Sequence, residues 1–178
     1  MLTFEEMEAV LNGGGVKAVS APQLFPTPSG LAAQMVKGTG PGDSVLEPSA
    51  GTGALLAALP PGVITTAVEI NHELARLLDA GRVVCSDFLE CTELGLFDWV
   101  IANPPFTQNQ DVRHIRHMWD FVKPGGRLVT LSSVAWTFGA QVAFREWLDE
   151  IDAETSEIER GTFSGTDVPA MLIHASKP

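Results

Sequence analysis

The stretch Asp98-Trp99-Val100-Ile101-Ala102-Asn103-Pro104-Pro105-Phe106 decides how the chain folds. Four apolar residues, Trp99 to Ala102, follow a charged lead-in and read as a buried strand. The strand stops at Asn103, because two successive prolines have no N–H to give to a ladder. Each proline also drives the residue before it toward extended backbone. One amide side chain and one aromatic ring are thus held on a stiff turn at a strand's carboxyl end, where open parallel sheets bind ligands.

Such a turn suits a planar amino group. A nitrogen attached to a ring or carbonyl is a weak nucleophile, because its lone pair is delocalised. The Asn103 side-chain oxygen and the Pro104 carbonyl can accept its two protons and stabilise the positive charge that develops on attack. Phe106 can stack on a flat substrate and fix its approach. Taken alone, Asn-Pro-Pro is equally a proline-rich turn with asparagine as the turn former. The segments around it carry the decision.

Toward the amino terminus, Ser44 to Pro48 reads as a strand, followed by the turn Ser49-Ala50-Gly51-Thr52-Gly53 and an apolar helix from Ala54 to Leu59. The glycines allow a close backbone approach to a ligand. No Gly-Lys-Ser/Thr follows, and Leu56 occupies the third glycine position of the dinucleotide fingerprint. Glu47, just before the turn, would repel a pyrophosphate and favours a cationic or amine-bearing ligand. A second strand, Thr65 to Ile70, carries Glu69 near its end, placed to accept from ribose hydroxyls, and leads into a helix over Asn71 to Ala80. A third, Val83 to Phe88, carries Asp87. Three successive strands ending in Glu47, Glu69 and Asp87 beside a glycine turn make a site.

Upstream of these, Phe25-Pro26-Thr27-Pro28-Ser29-Gly30 feeds a helix through about Val36, with Thr27 as its cap and Pro28 in its first turn. Residues 3–11 read as a short amphipathic helix capped by Thr3 and ended by Gly13-Gly14-Gly15. The expected organisation is an N-terminal helical extension over 1–20 and one catalytic domain over 21–178. Downstream of Phe106, a helix over Val112–Val122 precedes Lys123-Pro124-Gly125-Gly126 and a strand from Arg127 to Ser132. A helix over Gly139–Ile151, an acidic strand over Glu154–Glu159, a loop over Gly161–Pro169 and a strand over Ala170–Ala175 complete the chain. The alternation predicts an α/β fold with seven strands, mostly parallel, helices on both faces and a last strand antiparallel in a hairpin.

Composition bounds the rest. With 45% hydrophobic and 19% charged residues, 178 residues form a globular domain with a real core. A net charge of −11 disfavours strong non-specific binding to nucleic acid or anionic membranes by the fold as a whole. Cys85 and Cys91 have no metal-ligand or CxxC spacing and read as small buried apolar residues in a reducing compartment. Glu5, Glu6 and Glu8 interrupt the N-terminus and no long apolar run exists, so a soluble cytoplasmic protein without a membrane span is expected. No metal is expected.

Read together, the segments from Phe25 to Ala175 resemble the Rossmann-like S-adenosylmethionine-dependent methyltransferases of the amino-group type, closest to the N6-adenine enzymes. Phe-Pro-Thr-Pro is similar to their N-terminal cofactor motif, Glu-Pro-Ser-Ala-Gly-Thr-Gly to their glycine motif and Asn-Pro-Pro-Phe to their catalytic motif. Each piece is weak alone, and the order and spacing give them weight. The resemblance implies S-adenosylmethionine as cofactor, with its methionine end toward Thr27, Glu47, Ser49, Gly51 and Gly53. Glu69 and Ile70 would lie at the ribose, Asp87 at the adenine amino group, and Phe88 against the base. Asn103, Pro104, Pro105 and Phe106 would be catalytic, with Asn103 also beside the cofactor. No general base is required, because the proton can leave after the nitrogen becomes cationic.

For the substrate, the resemblance implies adenine in DNA or RNA. Arg113 and Arg116, with Lys123, Arg127, His114 and His117, cluster after the elbow in sequence and read as a local phosphate grip or as an ordinary solvated helix face. Phe163, in the loop before the last strand, is placed to stack on an extruded base. No separate target-recognition domain fits, so a homodimer or another recognition partner would add selectivity. Two alternatives stand beside this reading: a protein glutamine side-chain amide methyltransferase, whose family usually has Tyr where Phe106 stands, and a binding subunit without activity. Trp119, Trp136 and Trp147 fall at helical positions expected to be core.

Overall fold

A computed structural model of the protein describes residues 25–139, 141–163 and 168–178. The expected N-terminal extension over 1–20, with its helix over 3–11 and its triple glycine, lies outside them. The described chain forms α1 (Ser29–Met35), β1 (Ser44–Glu47), α2 (Ala54–Ala58), β2 (Ile64–Glu69), α3 (His72–Ala75) and β3 (Arg82–Cys85). Then come β4 (Phe97–Ala102), α4 (Gln110–Asp120), β5 (Val122–Ser133), α5 (Val142–Glu150), β6 (Glu154–Ile158) and β7 (Ala170–Ser176).

One seven-stranded sheet has the order β3-β2-β1-β4-β5-β7-β6. The first five strands in that order are parallel, and β7 runs antiparallel to both β5 and β6. The chain leaves β1 toward β2 on one side and reaches β4 on the other. That reversal opens a crevice at the carboxyl ends of β1 and β4, the switch point where open sheets bind ligands.

The central strands are covered on both faces, which is why their residues read as apolar runs. Leu31, Met35 and Leu55 pack with Trp99, Ile101, Val129 and Leu131 on one face. Ile115, Met118, Phe144 and Leu148 pack with Leu46, Val100 and Leu128 on the other. Trp136 is buried, and Trp119 and Trp147 pack half-buried on this second core, as helical spacing indicates. At the sheet edge, β6 exposes Glu154 and Glu157, charges that discourage pairing with another strand.

Local details depart from the sequence expectation in instructive ways. Lys123–Gly126 is an excursion within one continuous β5, and the pairing with β4 jumps from Phe97↔Val122 to Trp99↔Arg127. Gly126 is needed there, because a Cβ would lie 2.9 Å from the Asp98 carbonyl oxygen. The helix expected over Asn71–Ala80 keeps only four residues, with the Asn71 side chain accepting from the N–H groups of Glu73 and Leu74. Cys85 is exposed on the edge strand β3 and only Cys91 is buried, since the third strand has no neighbour on its outer side.

At the amino ends of the strands, Asp98 accepts from the Ser44 amide at 2.8 Å, the Ser44 hydroxyl at 2.6 Å and Lys123 Nζ at 3.0 Å. These bonds tie β1, β4 and β5 together, and the Ser44 hydrogen bonds lead in lowering the Asp98 pKa to about 2. A carboxyl depressed in the fold stabilises it above its ordinary value and loses that contribution as pH falls through the folded value. Acid titration of stability should therefore show a loss between about pH 4 and 2 that Asp98→Asn removes, together with lower stability at neutral pH. An unchanged acid limb in that variant would contradict the assignment.

Candidate active site

Four strand ends converge on one cavity of about 940 Å³, at the upper end of the roughly 300–1,000 Å³ usual for small-molecule sites. Glu47 ends β1, Glu69 ends β2, Asp87 follows β3 and Asn103 follows β4. Of the residues the sequence singled out, Thr27, Ser49, Gly51, Ile70, Pro104, Pro105, Phe106, Arg113 and Phe163 also line it.

The glycine turn is held by the second acid. Gly51, at φ 52°, donates its N–H to Glu69 Oε2 at 2.7 Å, and Asn71 donates to Oε1 at 2.7 Å. Glu69 thus sets the turn's position and keeps lone pairs for a ligand. Gly53 does not line the cavity. It adopts φ 78° to open α2 and donates to the Ala50 carbonyl at 2.7 Å, so its contribution is the shape of the turn.

Glu47 is 3% exposed, and its Oε2 has no hydrogen-bond partner among the described residues. Burial pushes its carboxyl well above the ordinary value, a backbone hydrogen bond from Leu56 opposes that rise, and Glu69 adds repulsion. A buried acid with an orphan oxygen and no cation beside it is a receptor for positive charge or for a donor. Asp87 accepts from the Leu89 N–H at 2.9 Å through Oδ1 and starts a short 3-10 turn.

Asn103 donates Nδ2 to the Phe25 carbonyl at 3.0 Å and to Thr27 Oγ1 at 3.3 Å. A carbonyl can only accept, so the nitrogen of this carboxamide must face Phe25 and its oxygen is left for the cavity side. Thr27 is therefore a partner of Asn103 and not the cap of α1, which begins at Pro28 without a side-chain cap. After the prolines, Gln108 and Asn109 both take positive φ, at 53° and 57°, and this left-handed pair swings the chain into α4. Asp111 in the first turn of α4 accepts from the N–H and hydroxyl of Ser133, both at 2.8 Å, fixing that helix to the end of β5.

Phe88 does not reach the cavity. It is 2% exposed and packs among His114, His117 and Phe121, because the 3-10 turn after Asp87 points it inward and presents Leu89 instead. The basic cluster also disperses. Arg116 donates to the Ala143 carbonyl and lies over the Trp147 ring, facing α5. Lys123 is bound to Asp98, and Arg127 lies over Trp99, both at the amino ends of the strands. Among the described residues, Arg113 is the one arginine or lysine that lines the cavity.

His114, grouped in sequence with the basic cluster, takes a different place. It lines the cavity, is 7% exposed, and its Nδ1 lies 3.3 Å from Ser49 Oγ. Burial is the first cause lowering its pKa to about 4, with Asp87 opposing, so the ring is neutral and adds no positive charge to the site. The signal in the sequence was its place between the core positions Val112, Ile115 and Met118. Phe25, the first residue of the Phe-Pro-Thr-Pro motif, lines it too, as do Leu89 and Gln110, which the sequence did not mark.

No protein-family model matches the chain, and no curated protein matches it. Solved structures share its fold. A protein of Listeria monocytogenes, described as a class I S-adenosylmethionine-dependent methyltransferase, superposes with a TM-score of 0.70 at 17% identity, over 98% of this chain and 68% of that one. The N-methyltransferase NodS of Bradyrhizobium japonicum, solved with S-adenosyl-L-homocysteine, gives 0.60 at 20% identity, over 84% and 85%. The M protein of the type I restriction enzyme EcoKI gives 0.71 at 18% identity, over 90% of this chain and 45% of that one. The architecture is thus the Rossmann-like methyltransferase fold expected from the sequence, and among the described residues no helix is long and apolar enough to cross a membrane.

The neutrality of His114 has a direct readout. A histidine whose folded value is depressed costs stability as pH falls from its ordinary 6.5 toward about 4, because the unfolded chain takes the proton first. Imidazole NMR should find one histidine with a midpoint near 4, lost in His114→Gln. All four histidines titrating near the ordinary value would contradict the burial of this ring.

Proposed function

We propose that the protein transfers a methyl group from S-adenosylmethionine to the exocyclic amino group of adenine. The observation that carries this reading is the carboxamide of Asn103, oriented by Phe25 and Thr27 so that an acceptor oxygen stands at the switch point beside the glycine turn. The neighbouring structures, among them an N-methyltransferase with bound S-adenosyl-L-homocysteine and a restriction-enzyme M protein, support the cofactor and the reaction class.

The residues present fit the cofactor. The orphan Oε2 of Glu47 can take the aminoacyl ammonium, Glu69 the ribose hydroxyls and the free oxygen of Asp87 the adenine amino group. When bound, the cofactor supplies a methyl group on a sulfonium, which the target nitrogen takes as the carbon–sulfur bond breaks. The Asn103 oxygen and the Pro104 carbonyl accept the target's N–H protons and favour the cationic nitrogen that forms. Phe106, half-buried against the Leu31–Trp99 core, holds the ring plane. Glu47, Thr27 and His114 are buried in the wall of that half of the cavity.

A second reading, methylation of a glutamine side-chain amide in a protein, meets the same electronic requirement. The dispersal of the basic residues favours keeping it in view, since a peptide needs no phosphate grip.

Asn103→Ala should lower turnover at least about 100-fold, the scale of a lost transition-state acceptor, while calorimetric cofactor affinity stays within a few-fold. Normal turnover in this variant would remove the elbow from the mechanism. Cofactor affinity should also depend on pH. Glu47 is neutral in the empty site at pH values where ordinary carboxylates are charged, and a cationic ligand requires it ionised. Affinity should rise with pH by up to about tenfold per unit until Glu47 ionises freely, then level off. Glu47→Gln should flatten the profile, and a flat wild-type profile would show that Glu47 does not meet the cation.

A further inference from the structure

The cavity is sharply unequal in charge. Its cofactor half holds Glu47, Glu69 and Asp87. Its other half, around Asn103, is walled by Phe25, Phe106 and Phe163, with Arg113 as the one arginine or lysine among the described residues. Arg113 is exposed, and no hydrogen bond or ion pair holds it among the described residues. The other cations of α4, α5 and β5 are already committed, and Lys37, Arg76 and Arg160 lie exposed outside the cavity lining. Arg116 is engaged with Ala143 and Trp147, and Arg145 donates to the carbonyls of Trp136 and Gly139. Lys123 and Arg127 stand at the far ends of the strands. The segments outside the description add one cation in sequence, Lys17, against Glu5, Glu6, Glu8 and Asp167.

Affinity for a nucleic-acid backbone comes mainly from neutralising its phosphates, each contributing about −0.7 to −0.9 to the salt slope. A duplex also has to be opened before its adenine reaches a pocket, and a cavity lined by one arginine or lysine among the described residues offers few contacts to offset that cost. Aromatic walls with a single cation fit one flat, phosphate-bearing unit.

Resting on the adenine reading above, we infer that the substrate enters as one unpaired adenine nucleotide, with a single phosphate held by Arg113, and that this chain contacts no more of a polymer than that unit. Phe25, 45% exposed at the mouth, and Phe106 flank the base. Any preference for a longer nucleic acid then belongs to a partner.

The test measures labelled methyl transfer to adenosine, adenosine 5′-monophosphate, a short single-stranded oligonucleotide and its duplex, each across a range of salt. Adenosine monophosphate and the single strand should have kcat/KM within about tenfold of each other, the duplex should be poorest, and the salt slope should lie near −1. Arg113→Ala should cut the ratio of kcat/KM for the monophosphate over adenosine about tenfold, the size of a lost charge-assisted hydrogen bond. Preference for the duplex, a slope of about −3 or steeper, or an unchanged ratio in Arg113→Ala would overturn the inference while leaving adenine methylation standing. Transfer to none of the four, with calorimetry showing bound cofactor, would overturn the adenine reading and this inference with it.

Discussion

The site depends on how one carboxamide is anchored. Asn103 spends its Nδ2 protons on the Phe25 carbonyl and Thr27 Oγ1, which joins the end of β4 to the chain that enters α1. A free asparagine would turn about its side-chain bonds and present either end of its amide. Anchored in this way it can only accept toward the cavity, so the position selects for a donor such as an amino group. Pro104 and Pro105 stiffen the same turn from the backbone side, and the left-handed pair at Gln108 and Asn109 redirects the chain at once into α4. That helix, held to β5 through Asp111 and Ser133, then brings Arg113 and His114 to the cavity.

Charge is divided along the strands. Their carboxyl ends carry three acids around a space lined by no lysine among the described residues, while their amino ends pair Asp98 with Lys123 and stack Arg127 on Trp99. Glu47 feels the first arrangement most, because burial removes water from its carboxyl and Glu69 is the charged neighbour it meets. The depressed pKa of Asp98 and the raised one of Glu47, on strands that pair directly, show how partners and solvent access set opposite outcomes for the same chemical group.

Much of this was legible in the sequence because it is periodic or local. The apolar runs of β1 and β4, the glycine turn and the proline elbow give seven strands, their parallel sense and the final antiparallel pairing. The acids at three strand ends place a site at the switch point. What escaped depends on the direction of single side chains. A basic cluster in sequence separated because Arg116, nearly one turn beyond Arg113 on α4, reaches α5 instead of the cavity, and β5 starts at the opposite end of the sheet. Phe88 lost its expected place to Leu89 because a 3-10 turn, not a continued strand, follows Asp87. Thr27 looked like a cap because its spacing to Pro28 suits one, while its hydroxyl meets Asn103, 76 positions away. His114 was grouped with the basic residues of its segment, and only its burial, which lowers its pKa, separates it from them.

The central claim is that this site places an adenine amino group against the methyl group of its cofactor. Mass spectrometry of the product formed from adenine nucleotide and isotopically labelled S-adenosylmethionine tests it most directly. The expected result is one labelled methyl group on the exocyclic nitrogen, absent when Asn103→Ala replaces the wild-type protein. Label on a ring nitrogen, or only on a protein glutamine, would contradict it.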